Sequence, residues 1–235
     1  LVVIAFSTVI NIYSSKLLAA FNNISVWWHV FGAALIIGIL LFTTDKHQSL
    51  NWMFTTKINN SGFGEHTYWY LVLPLGFLLT QYTITGFDAS AHLSEETHDA
   101  HMSAAKGIWK SIFYSAIGGY ILLMAFLFVA TNTDFINSFD PKVNPYGGGS
   151  IIALLASALG TGVKFKLVMI ITTVGQIFCV TACLTSCSRM MYAFSRDGAV
   201  PGGNAWKKVN AHGVPLNAVM ASAVAGIILT LPALS

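Results

Sequence analysis

Residues 24–43 read ISVWWHVFGAALIIGILLFT, and His29 is the only ionisable side chain among them. A helix needs about 20 mostly apolar residues to cross about 30 Å of hydrocarbon. Apolar stretches approaching or exceeding that length recur at residues 1–14, 24–43, 68–91, 110–131, 167–194 and 215–235. Composition agrees: 9% of the 235 residues are charged and 55% are hydrophobic, the mean hydropathy is +0.67, and soluble domains carry roughly 25% charged residues. The expected fold class is an all-α polytopic membrane protein, with residues 1–235 forming one partial transmembrane domain. Both ends stop inside apolar runs, so the sequence is expected to be a piece of a longer protein.

The net charge of +3 comes from 12 Lys and Arg set against 9 Asp and Glu. The basic residues are scattered, so nucleic acid is not an expected partner; the lipid bilayer is. Cys179, Cys183 and Cys187 fall one turn apart on one face of an apolar segment without a C-x-x-C spacing, which reads as packing rather than a disulfide framework. If the first, third and fifth connections are cytoplasmic, Lys16, Lys106, Lys110, Arg189, Arg196, Lys207 and Lys208 lie on that side, a weak positive-inside bias. The apolar run SIIALLASALG, residues 150–160, is too short to span and fits a surface-lying or re-entrant helix.

The third apolar segment, WYLVLPLGFLLTQYTITGFDASAHL, holds the features that point to chemistry. Pro74 removes a backbone donor and Gly76 and Gly86 weaken the helix, while Thr80, Gln81, Thr83 and Thr85 place polar groups at depth. A helix break is expected around residues 84–87. Interrupted backbone at membrane depth is tolerated only where it is packed in protein or lines a cavity, so a break marks a candidate binding site. The half-helix ending near Thr83 and Thr85 presents carbonyls with partial negative charge, which suits an ammonium group. Asp88 is expected to cap the second half-helix by accepting from backbone N–H groups, with direct substrate contact as the alternative. Tyr82 is a candidate wall or gate, although packing is the commoner role of an aromatic in a membrane helix.

Downstream, HLSEETHDAHMSAAKG gathers His92, Glu95, Glu96, His98, Asp99 and His101. There is no H-E-x-x-H spacing, so the stretch reads as a solvated loop and no metal is expected; no cofactor is expected either. His29, after Trp27 and Trp28, reads as part of an interfacial aromatic belt or as a proton carrier. The fifth segment buries Gln176 and is rich in small and hydroxyl residues, for which packing is the default. A cavity or an ion site made by hydroxyls such as Thr181, Thr185 and Ser186 is a secondary reading, and Cys183 is the cysteine placed nearest a ligand.

The stretches TGFDASAHLSEETHDAHMSAAKGI, SRMMYAFSRDGAVPG and HGVPLNAV resemble the amino acid permeases of the amino acid, polyamine and organocation (APC) superfamily, especially the amino acid and choline transporter branch. Softer similarity extends over nearly the whole chain from LLAAFNNISVWWHVFG. The resemblance implies a twelve-helix transporter with five-plus-five inverted repeats, of which this chain would be the fourth helix through the ninth. It places the substrate between broken helices one and six. Tyr82, Thr83, Ile84, Thr85, Gly86, Phe87 and Asp88 then match the unwound part of helix six, with the substrate ammonium against carbonyls near Thr83 and Ile84. It also aligns His29 with a lysine that proton-coupled relatives carry on helix five. His98, Asp99 and Ala100 depart from the Lys-Asn-Pro of many relatives, and Cys183 falls near where some relatives line the pocket with an aromatic residue.

The function so implied is secondary active transport of an amino acid or related amine across the plasma membrane by alternating access, with a proton as coupling ion and no enzymatic activity. A choline or 4-aminobutyrate permease of the same branch is the alternative. Two readings from other classes remain: an intramembrane enzyme using His29, His92 or the Glu95 and Glu96 pair, and a non-transporting membrane scaffold, which an unbroken helix over residues 69–94 would favour.

Overall fold

The computed structural model describes residues 1–13, 15–94, 97–211 and 213–234. Glu95 and Glu96 lie outside the described residues. Every regular element among those residues is helical: α1 (Val2–Tyr13), α2 (Ser15–Thr43), α3 (Leu50–Thr55), α4 (Glu65–Thr67), α5 (Leu73–Tyr82), α6 (Ala89–His92), α7 (Ala100–Val129), α8 (Thr133–Asn137), α9 (Ile151–Leu159), α10 (Val163–Arg196), α11 (Gly203–Trp206) and α12 (Leu216–Thr230). A π turn at Tyr68–Val72 leads into α5 and a 3₁₀ turn at Leu231–Leu234 follows α12. Lys16–Thr43, Ala100–Val129 and Val163–Arg196 are long and apolar enough to cross a membrane. The all-α polytopic architecture with a broken helix is therefore the one the structure has.

The chain divides into two compact units, one of residues 1–29, 86–110 and 172–235 and the other of residues 30–85 and 111–171. In the first unit α1 packs on α12, and Leu184, Val214, Val219 and Ala223 form a buried cluster with Ile4 and Ile12 against it. Beside that cluster runs a polar seam between α1 and α10. Ser7 Oγ and Thr181 Oγ1 are 2.9 Å apart, Asn11 Nδ2 donates to the Ser7 carbonyl at 2.9 Å and to the Thr181 carbonyl at 3.3 Å, and Thr185 Oγ1 donates to Asn11 Oδ1 at 2.7 Å. Ser7, Asn11, Thr181 and Thr185 are all buried. Small and hydroxyl residues at such a face let two helices approach and bond across the gap.

In the second unit the buried apolar residues include Ile36, Ile39 and Leu40 from α2, Ala125 and Val129 from α7, Leu155 from α9 and Val168 from α10. The end of α2 is held by Lys164, whose Nζ donates to the Thr43 carbonyl at 3.1 Å; a cation is favourable at a helix C-terminus. The run expected to be too short to span forms the nine-residue α9. It starts where Ser150 Oγ accepts from the Ala153 N–H at 3.1 Å and stops at Gly160, whose φ of +66° suits only glycine without strain.

Glu65 of α4 pairs with Lys57 of the preceding loop, Lys57 Nζ to Glu65 Oε1 at 2.6 Å. The same ammonium lies 5.4 Å from the Tyr68 ring centre and 5.1 Å from that of Trp69. The hydrogen bond from Lys57, and then its charge, hold the Glu65 carboxyl below its ordinary range.

Candidate functional site

The segment leading to the break starts with the π turn, in which the Leu73 N–H donates to the Tyr68 carbonyl five residues back. Pro74 comes just after the π turn, and its missing N–H removes one bond from the helical ladder there. Two threonines bond back onto this helix's backbone: Thr80 Oγ1 donates to the Phe77 carbonyl at 2.9 Å, and Thr85 Oγ1, from beyond its end, to the Gln81 carbonyl at 3.2 Å. Back-bonding of this kind loosens a helix.

At its C-terminus α5 tightens into three-residue turns. The N–H groups of Thr83, Ile84 and Thr85 donate to the carbonyls of Thr80, Gln81 and Tyr82, each at 3.1 Å. Gly86 then takes φ +84°, with nothing within 4 Å of where a Cβ would stand, so its absence of side chain serves backbone conformation rather than packing. The chain re-enters helix at Ala89, whose N–H donates to the Gly86 carbonyl at 3.0 Å. Among the described residues no hydrogen bond ends on the carbonyls of Thr83, Ile84 or Thr85. Three successive acceptors at the negative end of a helix dipole are suited to a cation carrying several N–H donors.

Asp88 occupies the N-cap position of α6 as expected, but its side chain makes no capping bond. This corrects the capping expectation. Its backbone sits at φ −84°, ψ −4°, outside the extended region from which a cap side chain reaches the next N–H groups. The carboxylate instead meets His92 one turn on, Oδ2 to Nε2 at 3.0 Å. Tyr82 and Phe87, on either side of the open carbonyls, are exposed at 57% and 42%.

His29 stands on α2 with Nδ1 bonded to the Ser25 carbonyl at 2.7 Å. An Nδ1–H that donates to a carbonyl leaves Nε2 as the acceptor nitrogen. That nitrogen lies 3.4 Å from where a Cβ on Gly175 of α10 would be, and the ring tilts against Phe178 at 6.2 Å between centres. Cys183 is exposed on α10 between Cys179 and Cys187; Ser222 Oγ donates to Cys187 Sγ at 3.5 Å. Among the described residues no hydrogen bond, ion pair or ring contact joins His29 or Cys183 to Gly86, Phe87 or Asp88.

Thr181 and Thr185, read from sequence as a secondary ion site, are committed to the α1–α10 seam. Their partners Ser7 and Asn11 were missed as seam residues. The signal was present in Asn11, a primary amide inside an apolar run, which in lipid demands a partner. An unbroken helix over residues 69–94, the mark of a scaffold, is not what the chain forms.

The whole chain, residues 1–235, matches the family model described as amino acid permease. It is similar to the Amino-acid permease BAT1 homolog of Oryza sativa subsp. japonica, at 33% identity over 92% of this chain and 42% of that protein. Amino-acid permease BAT1 of Arabidopsis thaliana is 32% identical over 96% of this chain and 44% of its own length. The low-affinity putrescine importer PlaP of Escherichia coli is 29% identical over 84% of this chain and 41% of its own. The chain thus spans less than half the length of these curated relatives. No solved structure shows significant similarity to it.

Proposed function

The chain belongs to the amino acid permease family, and on that premise we propose that the complete protein is a secondary active transporter of amino acids or related amines in the plasma membrane. It works by alternating access with a proton as the coupling ion. The observation that carries this reading is the helix break, where the carbonyls of Thr83, Ile84 and Thr85 accept no hydrogen bond among the described residues. Amino acids and putrescine, the substrate classes in the relatives' names, share an ammonium group, which is what an open helix C-terminus favours. The site so read centres on Tyr82, Thr83, Ile84 and Thr85, with the chain running on through Gly86, Phe87 and Asp88.

His29 is the proposed proton carrier. The bond from Nδ1 to the Ser25 carbonyl leaves Nε2 as the nitrogen open to a proton. The test is uptake by the complete protein in vesicles, with labelled amino acids, putrescine, choline and 4-aminobutyrate, with and without an inward proton gradient. Uptake of a primary ammonium compound that rises with the gradient is expected; uptake of none of the panel would remove the transport reading.

A further inference from the structure

Helix α7 passes the end of α5 without a side chain at the point of closest approach. A Cβ built on Gly119 would stand 2.5 Å from the Thr83 Cγ2 methyl and 3.7 Å from Thr83 Oγ1. Its neighbour Gly118 would meet nothing within 4 Å, so the notch is one residue wide and aimed at one methyl group. Both Gly119 and Thr83 belong to the second unit. Thr83 is the first residue beyond α5, and its carbonyl is the first of the three open acceptors.

A second notch on the same helix is built differently. A Cβ on Gly107, in the first unit, would stand 2.9 Å from Ser90 Cβ and 2.8 Å from Ser90 Oγ. There the obstacle includes a β-carbon that every residue but glycine possesses. At Gly119 the close contact is the γ-methyl alone, which serine lacks.

We propose that Gly119 is a positioning residue for substrate. By admitting the Thr83 methyl into the face of α7, it fixes the end of α5, and with it the direction in which the Thr83, Ile84 and Thr85 carbonyls point at an ammonium group. The proposal rests on the ammonium reading of those carbonyls. A methyl added at Gly119 cannot share space with Thr83 Cγ2 where it stands. The proposal requires that the end of α5 yields rather than that the Thr83 side chain turns about χ1, and an unchanged KM is the signature of the latter.

The test is a double-mutant cycle in the full-length protein reconstituted into vesicles, with labelled putrescine and one labelled amino acid as probes and the melting temperature of each variant measured alongside. Gly119→Ala is expected to raise KM about tenfold and to lower the melting temperature. In a Thr83→Ser background the same change is expected to move KM by about twofold or less and to leave melting unchanged, since the serine hydroxyl sits at ordinary contact distance. A purely structural glycine would lower melting and the number of active molecules while leaving KM alone. An unchanged KM for Gly119→Ala, or a raised KM that Thr83→Ser fails to suppress, overturns the proposal. If the unaltered protein takes up neither probe, it is the ammonium reading that fails. The steric notch is then judged on melting alone: lowering by Gly119→Ala that Thr83→Ser suppresses upholds it, and any other pattern overturns it.

Discussion

The seam between α1 and α10 and the break after α5 are both polar places in apolar helices, yet they dispose of their polar groups in opposite ways. At the seam Asn11 is saturated: its amide donates twice and its carbonyl oxygen accepts from Thr185. After α5, three backbone carbonyls in a row have no donor among the described residues. A closed set of hydrogen bonds in a low-dielectric setting holds two helices in register, because breaking it strands buried groups at about 1–3 kcal/mol each. An open set has no such holding power and is stable only where something else supplies the donors. The difference separates bonded from open backbone without recourse to residue type, since both regions are rich in threonine.

Substitutions that open the closed set or disturb the open one probe this division. The largest effect is expected from Gly86→Val, which forces a β-branched residue to φ +84°. Transport should fall about a hundredfold with helix content in circular dichroism little changed; normal uptake by this variant would mean that the break is not the site. Next is Asn11→Leu, which leaves Thr185 Oγ1 without its Asn11 acceptor and the Ser7 and Thr181 carbonyls without its amide. A loss of about 2 kcal/mol in unfolding free energy with an unaltered KM is expected from denaturation and uptake together; an altered KM would make the seam part of the site.

His29→Ala is expected to flatten the dependence of uptake on external pH while leaving membrane insertion normal. An unchanged pH profile would return His29 to the interfacial belt. The smallest effect belongs to Glu65. Its carboxyl is held below the ordinary value by Lys57, so the ion pair contributes above the unfolded pKa and its contribution is lost as pH falls through the lower, folded value. Glu65→Gln should therefore narrow the gap in melting temperature between neutral pH and about pH 3. The pair's open position keeps that effect small, and an unchanged gap would show the pair to be idle.

Much of this was legible along the chain. Apolar runs pointed to the long helices Lys16–Thr43, Ala100–Val129 and Val163–Arg196 because length and hydrophobicity are local quantities, and the break was readable because Pro74, Gly86 and the threonines lie within a dozen residues of one another. Asp88 was misread for a physical reason: the N-cap position was right, but capping also requires an extended backbone, and its φ and ψ are set by the turn that Gly86 makes. The i to i+4 spacing to His92 was the competing signal. Gly119 and Thr83 lie 36 positions apart on helices whose mutual approach no periodicity encodes, so that contact had to be seen. The partners of Asn11 were hidden likewise, although its need for partners was not.

The π turn at Tyr68–Val72 sets the rotational phase of everything after it. Five residues span what four would in an α turn, so each later side chain is carried one position, about 100°, around the axis relative to an uninterrupted helix. Thr83 meets Gly119 only in that phase. A single deletion among residues 68–72 that restored ordinary helix would keep the composition of the break intact while turning its carbonyls to a different wall.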